Sequence, residues 1–322
     1  SYVGYTSQTI AVNGKQTFNV TLKEEANAMN EVVVTALGIK RAEKALSYNV
    51  QKLASEELTR NKDANFVNSL NGKIAGVSIS KSASGVGGAT RVIMRGAKSI
   101  EGDNNVLYVI DGIPLFNFSG GTDSGIMGEG RVSSEGIADL NPEDIESINV
   151  LAGPSAAALY GSNAANGAIL ITTKKGKEGR VEIAFSTSAD FSSPLLMPKF
   201  QNKYGNKQGS YESWGEKLDK PSSYDPKKDF FRTGVNFTNN ASLTAGTERN
   251  QVYLSLGSTT VHGIIPNNGF HRYNFSFKNV FSTFHDKLRL TFSFKYIREN
   301  DKNMLAQGQY FNPLTSVYLF PR

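Results

Sequence analysis

Few residues of this chain have the types and the spacing that catalysis or metal binding requires. Histidine occurs only at His262, His271 and His285, and neither their spacing nor their neighbours form a metal-ligand set or a nucleophile motif. Cysteine is absent, which excludes a disulfide framework, a thiolate metal site and a cysteine nucleophile. We therefore interpret the histidines as loop or interface residues, and we expect no enzyme activity, no cofactor and no metal.

Two glycine-rich stretches could suggest nucleotide binding. Residues 153–162 lack the Gly-Lys-Ser/Thr ending of a phosphate-binding loop, and residues 85–88 lack the spacing of a dinucleotide fingerprint. The sharp changes of direction around a short helix, which ends at Tyr160 and Gly161, explain the glycines better. We interpret Gly153, Gly161 and Gly167 as structural residues of caps and turns.

Residues suited to contact a ligand lie in two polar, glycine-containing stretches. Aromatic rings can stack on sugar faces or peptide planes, while amides and carboxylates form hydrogen bonds. An ordinary loop remains the alternative for both stretches. The candidates are Phe116, Asn117, Phe118 and Asp123 in residues 116–131, and Tyr211 and Trp214 in the long connection 192–232.

Composition narrows the class of protein further. The formal net charge is +6, but the basic residues are spread along the chain, which argues against nucleic-acid binding. No run of about 18 apolar residues is present, so a transmembrane helix is excluded. The chain opens on Ser1-Tyr2-Val3, and we expect any signal peptide to have been removed or to lie upstream.

The front of the chain divides into three regions. Residues 1–25 contain a hairpin around Asn13-Gly14 and are expected to end a β-domain. Residues 26–45 form a linker with the apolar tract 32–36, which is either a core strand or an exposed strand that awaits a partner. Residues 46–177 mix helix and strand signals, and predict one α+β domain. Its predicted elements are a helix at 63–72, strands at 77–80, 91–94 and 106–110, a helix start at 141–145, a helix from Pro154, and a strand at 168–173.

From residue 178 to residue 322 the helical signals vanish. Apolar and polar residues alternate with a period of two over segments longer than ordinary strands. The connections alternate between short and long, as they do in outer-membrane barrels. By alternation alone, a soluble β-sandwich remains the alternative. The predicted strands are 181–190, 233–245, 251–261, 272–284 and 287–298.

Several stretches of the middle region resemble the plug of SusC-like TonB-dependent outer-membrane transporters. The similar stretches are Asn-Ser-Leu-Asn-Gly-Lys-Ile-Ala-Gly-Val at 68–77, Met-Arg-Gly at 94–96, Leu-Tyr-Val-Ile-Asp-Gly-Ile-Pro at 107–114, and the run from Glu-Asp-Ile-Glu-Ser-Ile-Asn-Val-Leu-Ala-Gly-Pro at 143–154 to Gly176. Residues 1–25 are similar to the end of a carboxypeptidase-regulatory-like extension. The segments at 204–205 and 213–215 are similar to the first long loop of such a barrel.

The resemblance implies an α+β plug domain followed by the first antiparallel strands of a transmembrane β-barrel of about 22 strands. We expect the remainder of the barrel beside this chain. The resemblance also implies a bacterial outer-membrane location and contact with its lipid. It implies a TonB-binding segment, the TonB box, at Val32, Val33, Val34, Thr35 and Ala36.

The implied function is TonB-dependent import of oligosaccharides or oligopeptides. The implied partners are TonB with its inner-membrane motor and a SusD-like surface lipoprotein. The alternatives are a TonB-dependent signal-transducing receptor and a soluble carbohydrate-binding β protein.

Two residues of the plug-like region are predicted to be structural. Arg95 and Asp111 stand beside glycines at strand ends, and we expect them to be buried and to pair with each other or with the barrel wall. A force applied at residues 32–34 would then have to loosen such polar contacts, which break more readily in a wet lumen than an apolar core does.

Overall fold

The computed structural model describes residues 32–34, 40–42, 50–60, 62–81, 85–100, 104–115, 135–210, 214–284, 287–303, 312–314 and 317. Within them the chain forms two five-stranded sheets and two smaller two-stranded sheets. The first large sheet belongs to an α+β domain, and the second is wholly antiparallel. This architecture confirms the predicted fold class. The predicted β-domain at 1–25 lies outside the described residues.

The small sheets lie in the front part of the chain. Strand β1 (Val32–Val34) pairs antiparallel with β2 (Lys40–Ala42). Strand β4 (Val77–Ser80) pairs antiparallel with β5 (Arg91–Met94).

The sheet of the α+β domain has the order β3-β8-β9-β6-β7. Only the β6–β9 pair is parallel, and β3 forms one edge, where β8 is its partner. The strands are β3 (Val50–Ala54), β6 (Leu107–Ile110), β7 (Ile113–Leu115), β8 (Ile145–Leu151) and β9 (Ala168–Thr173).

Short helical elements cover this sheet. Helix α1 (Ser55–Thr59) buries Leu58, and helix α2 (Gly153–Tyr160) buries Ala156. Apolar residues pack on both faces, because successive side chains of a strand point to opposite sides. The larger cluster contains Leu58, Phe66, Leu70, Ile148, Ile169 and Ile171, and the smaller one contains Val50, Val109, Leu151, Ala156 and Leu170.

Two predicted helices are shorter than expected. Only Phe66–Leu70 of the predicted helix 63–72 is helical, as a 3-10 helix capped by the Asn65 side chain. At the second site Asn141 caps a single turn, Pro142–Asp144, and the chain then enters β8. The cap signal was therefore correct there, but the seven-residue strand that follows it was missed.

The second large sheet is a meander of five long strands in chain order. Each strand pairs antiparallel with the next over its length. All five predicted strands are present and extend one to four residues beyond most of the expected limits. They are β10 (Gly179–Ser192), β11 (Gly234–Gly246), β12 (Asn250–His262), β13 (Gly269–Thr283) and β14 (Leu288–Lys302).

The two faces of this sheet differ in a way opposite to that of a soluble sheet. The face toward the α+β domain buries polar residues such as Ser255, Arg272 and Asn274. The other face is apolar and exposed, with Phe185 at 72% and Phe292 at 62% exposure. Aromatic pairs cross between β13 and β14 on this outer face. An apolar outer face is what a sheet needs where lipid replaces water.

The long connection between β10 and β11 has its own ordered parts. Helix α3 (Pro226–Asp229) begins at the cap Asp225, and Phe231 packs with Ile265 in a small apolar cluster. No helix within the described residues is long and apolar enough to cross a membrane.

Candidate functional site: the contact between plug and wall

The α+β domain, called the plug below, contacts the inner face of β10–β14, called the wall. Its central contact is the carboxylate of Asp144, which is 1% exposed at the end of the Pro142–Asp144 turn. Tyr253 Oη and Ser255 Oγ of β12 donate to Oδ1 at 2.9 and 2.5 Å, and Ser276 Oγ of β13 donates to Oδ2 at 2.5 Å. Hydrogen bonds to an ionised carboxylate are among the stronger ones. Asp144 therefore joins the plug to two strands at once.

The residues just before Asp144 extend this contact. Asn141 Nδ2 donates to Asn240 Oδ1 of β11 at 2.9 Å. From β13, Arg272 donates to the carbonyl oxygen of Ala138 at 2.5 Å, and Asn274 donates to that of Asp139 at 2.7 Å. We call residues 138–144 the anchor segment, because residues 138, 139, 141, 143 and 144 each bind the wall.

Lys62 and Glu143 form a second contact beside the anchor segment. Their ion pair has an Nζ–Oε1 distance of 2.6 Å, with side chains only 8% and 13% exposed. Ser186 of β10 donates to Glu143 and accepts from Lys62. Asn236 of β11 donates to the Lys62 carbonyl oxygen. An ion pair on the surface contributes little to stability, because water and salt screen it. The Lys62–Glu143 pair is mostly shielded from solvent.

The structure places Asp111 at the wall, as one of the two predicted arrangements requires. Its carboxylate lies 3.0 Å from Lys278 Nζ of β13 and accepts from the Thr173 hydroxyl at 2.6 Å. Burial alone would raise the pKa of Asp111, but the Lys278 charge and the Thr173 hydrogen bonds outweigh it and lower the pKa below its ordinary value. The carboxylate is therefore held in its charged form against the wall.

Arg95 differs from its predicted role. It is exposed, adopts a positive φ of 57°, and forms no ion pair with a described residue. Asp111 likewise has a positive φ, 50°, so both residues stand at tight turns before a glycine. The expectation of a buried arginine was wrong because the turn, rather than a charge partner, determines this position.

Gly161 and Gly167 lie at turns, as expected, and Gly153 is the first residue of α2. Gly161 has φ +76° and Gly167 has φ +110°, a region that residues with a Cβ rarely adopt. At Gly167 a Cβ would also lie 2.6 Å from Met94 Sδ. At Gly153 a Cβ would lie 2.5 Å from the Ala165 carbonyl oxygen. Tyr160, the last residue of α2, packs against the smaller core cluster.

The predicted TonB-binding segment is described only in part. Val32, Val33 and Val34 form β1, whose described partner is β2, so β1 does not extend the five-stranded plug sheet. Thr35 and Ala36 lie outside the described residues. The alternative of a core strand within the plug sheet therefore finds no support in the described pairing.

Of the ligand-contact candidates, only Trp214 can be located. It is 65% exposed, and its ring centroid lies 5.5 Å from that of Tyr204. Phe116, Asn117, Phe118, Asp123 and Tyr211 lie outside the described residues, as does His285. His262 and His271 contact each other edge to face on neighbouring strands. In the part of the chain that the structure describes, no group of three His, Asp or Glu side chains could hold a metal ion.

A cavity of about 590 Å³ lies between plug and wall at the end from which the long connections leave. Sequence reasoning missed it, because its lining comes from distant segments. The plug contributes residues 62–65, 68–69, 81 and 85–88, and the wall contributes residues 190–193, 235–236, 261–265 and 268. Its volume is within the range of ligand-binding pockets.

Comparison with known proteins agrees with this architecture. Residues 42–168 match the family model described as the TonB-dependent receptor plug domain. The chain is 33% identical over 317 residues to TonB-dependent receptor SusC of Bacteroides thetaiotaomicron. This match covers 95% of this chain and 29% of the relative. It is 28% identical over 320 residues to TonB-dependent receptor P26 of Formosa agariphila, covering 95% of this chain and 30% of the relative. The chain thus spans less than a third of the length of these curated relatives.

Solved structures show the same fold. The RagAB peptide importer in its open-open state superposes with a TM-score of 0.65 at 23% identity, covering 84% of this chain and 32% of that chain. The ferric enterobactin receptor PfeA of Pseudomonas aeruginosa superposes with a TM-score of 0.53 at 15% identity, covering 85% of this chain and 36% of that chain.

A plug domain seated on the polar face of long antiparallel strands defines the class: this chain has the fold of a TonB-dependent receptor. That class places it in the bacterial outer membrane. Within the class, the match to SusC extends over nearly all of this chain's residues.

Proposed function

We propose that the protein containing this chain imports oligomeric nutrients, glycans or oligopeptides, across the outer membrane with energy delivered through TonB. The observation that carries the proposal is the plug bound by polar contacts to the inner face of a wall whose outer face is apolar. Such a plug closes a passage through lipid, and part of it must move before an oligomer passes. Work done from the periplasmic side is a source of the energy required.

We assign to residues 32–36 the role of the segment that TonB binds and pulls. An extended β-branched segment can add as a strand to the sheet edge of another protein, with backbone hydrogen bonds supplying affinity. The described strand β1 has the required extended conformation. TonB with its inner-membrane motor would be the partner.

The cargo class and the second partner follow from similarity. RagAB is a peptide importer, and SusC is a TonB-dependent receptor. We propose a SusD-like surface lipoprotein as lid and an oligosaccharide or oligopeptide as cargo. Exposed Trp214 and the predicted contacts at Phe116, Asn117, Phe118, Asp123 and Tyr211 would bind it, and no chemistry would be performed on it.

The experiment is growth on a panel of single glycans and peptides after deletion of the gene and, separately, of residues 31–36. Loss of growth on the same nutrient in both strains is expected. Deletion of the linker residues 25–30 shortens the tether equally but keeps the proposed TonB-binding segment, and should leave growth intact. Wild-type growth after loss of residues 31–36 would disprove the proposed energy coupling.

A further inference from the structure

Asn149 is a buried amide without a hydrogen-bond partner in the middle of the plug. It lies in β8, is 1% exposed, and neither its Nδ2 nor its Oδ1 has a partner among the residues that the structure describes. Buried polar side chains are nearly always paired, because an unpaired one loses its bonds to water and gains none in return. The plug therefore carries a built-in destabilisation at this position.

The neighbours of Asn149 show which event would relieve that destabilisation. In the register of the sheet, Lys52 of β3 lies on one side of Asn149 and Leu170 of β9 on the other. Lys52 is exposed, whereas Leu170 is buried. Because β3 is an edge strand, its departure would give water access to the amide. Departure of β9 would instead disrupt the centre of the sheet.

The chain order makes β3 the first part of the plug sheet to receive a pull from residues 32–36. Among the described strands of that sheet β3 pairs with β8, over five residue pairs from Val50–Leu151 to Ala54–Ser147. Directly after β3, the chain is held by buried Leu58 and by the Lys62–Glu143 ion pair. The weakly held strand thus lies between the pulled end and two firm attachments.

We propose that Asn149 is a positioning residue for plug opening: its unpaired amide weakens the β3–β8 edge so that a pull on the preceding segment releases β3 first. The amide is hydrated when β3 leaves, and part of the energy of opening is supplied in advance by the strained closed state. The anchor segment stays on the wall during this step. The role in opening depends on the proposed function, whereas the weakness of the edge does not.

The experiment compares three variants of the full-length receptor, purified with its barrel complete. Asn149→Leu keeps the shape and removes the unpaired polar atoms, so amide hydrogen exchange of residues 50–54 should slow by about tenfold. Asn149→Asp adds a charge to the same place, so that exchange should accelerate by a similar factor. Asn141→Leu is the matched control, because Asn141 is also buried but is bonded to Asn240, and it should not slow exchange.

In cells, Asn149→Leu should slow growth on the nutrient identified with the panel by about threefold or more, while cargo binding to the purified receptor stays unchanged. A residue with a merely structural role would show the opposite, a less stable plug after substitution.

Exchange of residues 50–54 at the wild-type rate in both Asn149 variants would overturn the inference. Slower exchange with wild-type growth would overturn the role in opening. If the wild type itself needs no residues 31–36 for growth, the proposed function fails, but the exchange result still decides whether the edge is weak.

Discussion

At the scale of single residues, the plug is held by polar groups that the wall presents in fixed places. Asp144 shows the principle, since three hydroxyl groups from two strands point at one carboxylate. A buried carboxylate without partners would be costly, but each hydroxyl replaces a lost bond to water. The contact is strong when complete, which suits an attachment that keeps this part of the plug on the wall.

Asp144→Asn should weaken the attachment of the plug to the wall. The amide keeps the shape but replaces one acceptor oxygen by a donor and removes the charge, so we expect a loss of about 1–3 kcal/mol. The measurement is hydrogen exchange of residues 138–151 in the purified receptor, which reports the free energy of local opening.

Glu146→Gln provides the control for Asp144→Asn. Glu146 is an exposed acid two residues further along, and its replacement should change exchange by less than about 0.5 kcal/mol. Equal effects of the two substitutions would show that Asp144 has no special role in attaching the plug to the wall.

At the scale of elements, the sequence pattern predicted the strands correctly where each strand has one polar face and one apolar face. The five wall strands were predicted because alternation over 13 to 15 residues is a long and consistent signal. Strand β8 was missed because Asn141-Pro142 signals a helix start, and that signal ends after one turn.

The contacts between elements could not be predicted. Asp144 and its partners Ser255 and Ser276 are 111 and 132 residues apart in the chain. On the strands, such polar residues look like residues that face water. Only the position of the plug shows that they face protein.

The alternation predicts a sharp difference between neighbouring positions of β10. Phe185 is exposed on the outer face, whereas Ala184 is on the same face as Ser186, which contacts the plug. Phe185→Arg should cost about 2–4 kcal/mol if it faces the middle of the bilayer, whereas Ala184→Arg faces the lumen and should cost little. The fraction of receptor that assembles, read from heat-dependent gel migration, tests this.

The two arginine variants differ by one position in the chain, so depth and strand are matched. Similar assembly of both would contradict the assignment of the outer face to lipid. Poorer assembly of Ala184→Arg would mean that the faces are reversed.

At the scale of the whole molecule, the plug has two different attachments that can be locked separately. This chain contains no cysteine, so within it each introduced pair of cysteines is unique. Ala54 and Ser147 are register partners at the β3–β8 edge, and the Cα separation across an antiparallel pair suits a disulfide. Asn141 and Asn240 join the anchor segment to β11, and a short reducible thiol reagent can bridge cysteines placed there.

We expect the two locks to have opposite effects on import. The disulfide between Ala54→Cys and Ser147→Cys should stop uptake until a reductant is added, because β3 can no longer leave β8. The bridge between Asn141→Cys and Asn240→Cys should leave uptake largely intact, because the anchor segment stays on the wall when the edge opens. If the second lock also stops uptake, the plug must leave the wall as a body, and the polar contacts of Asp144 rather than the edge strand set the work that TonB has to perform.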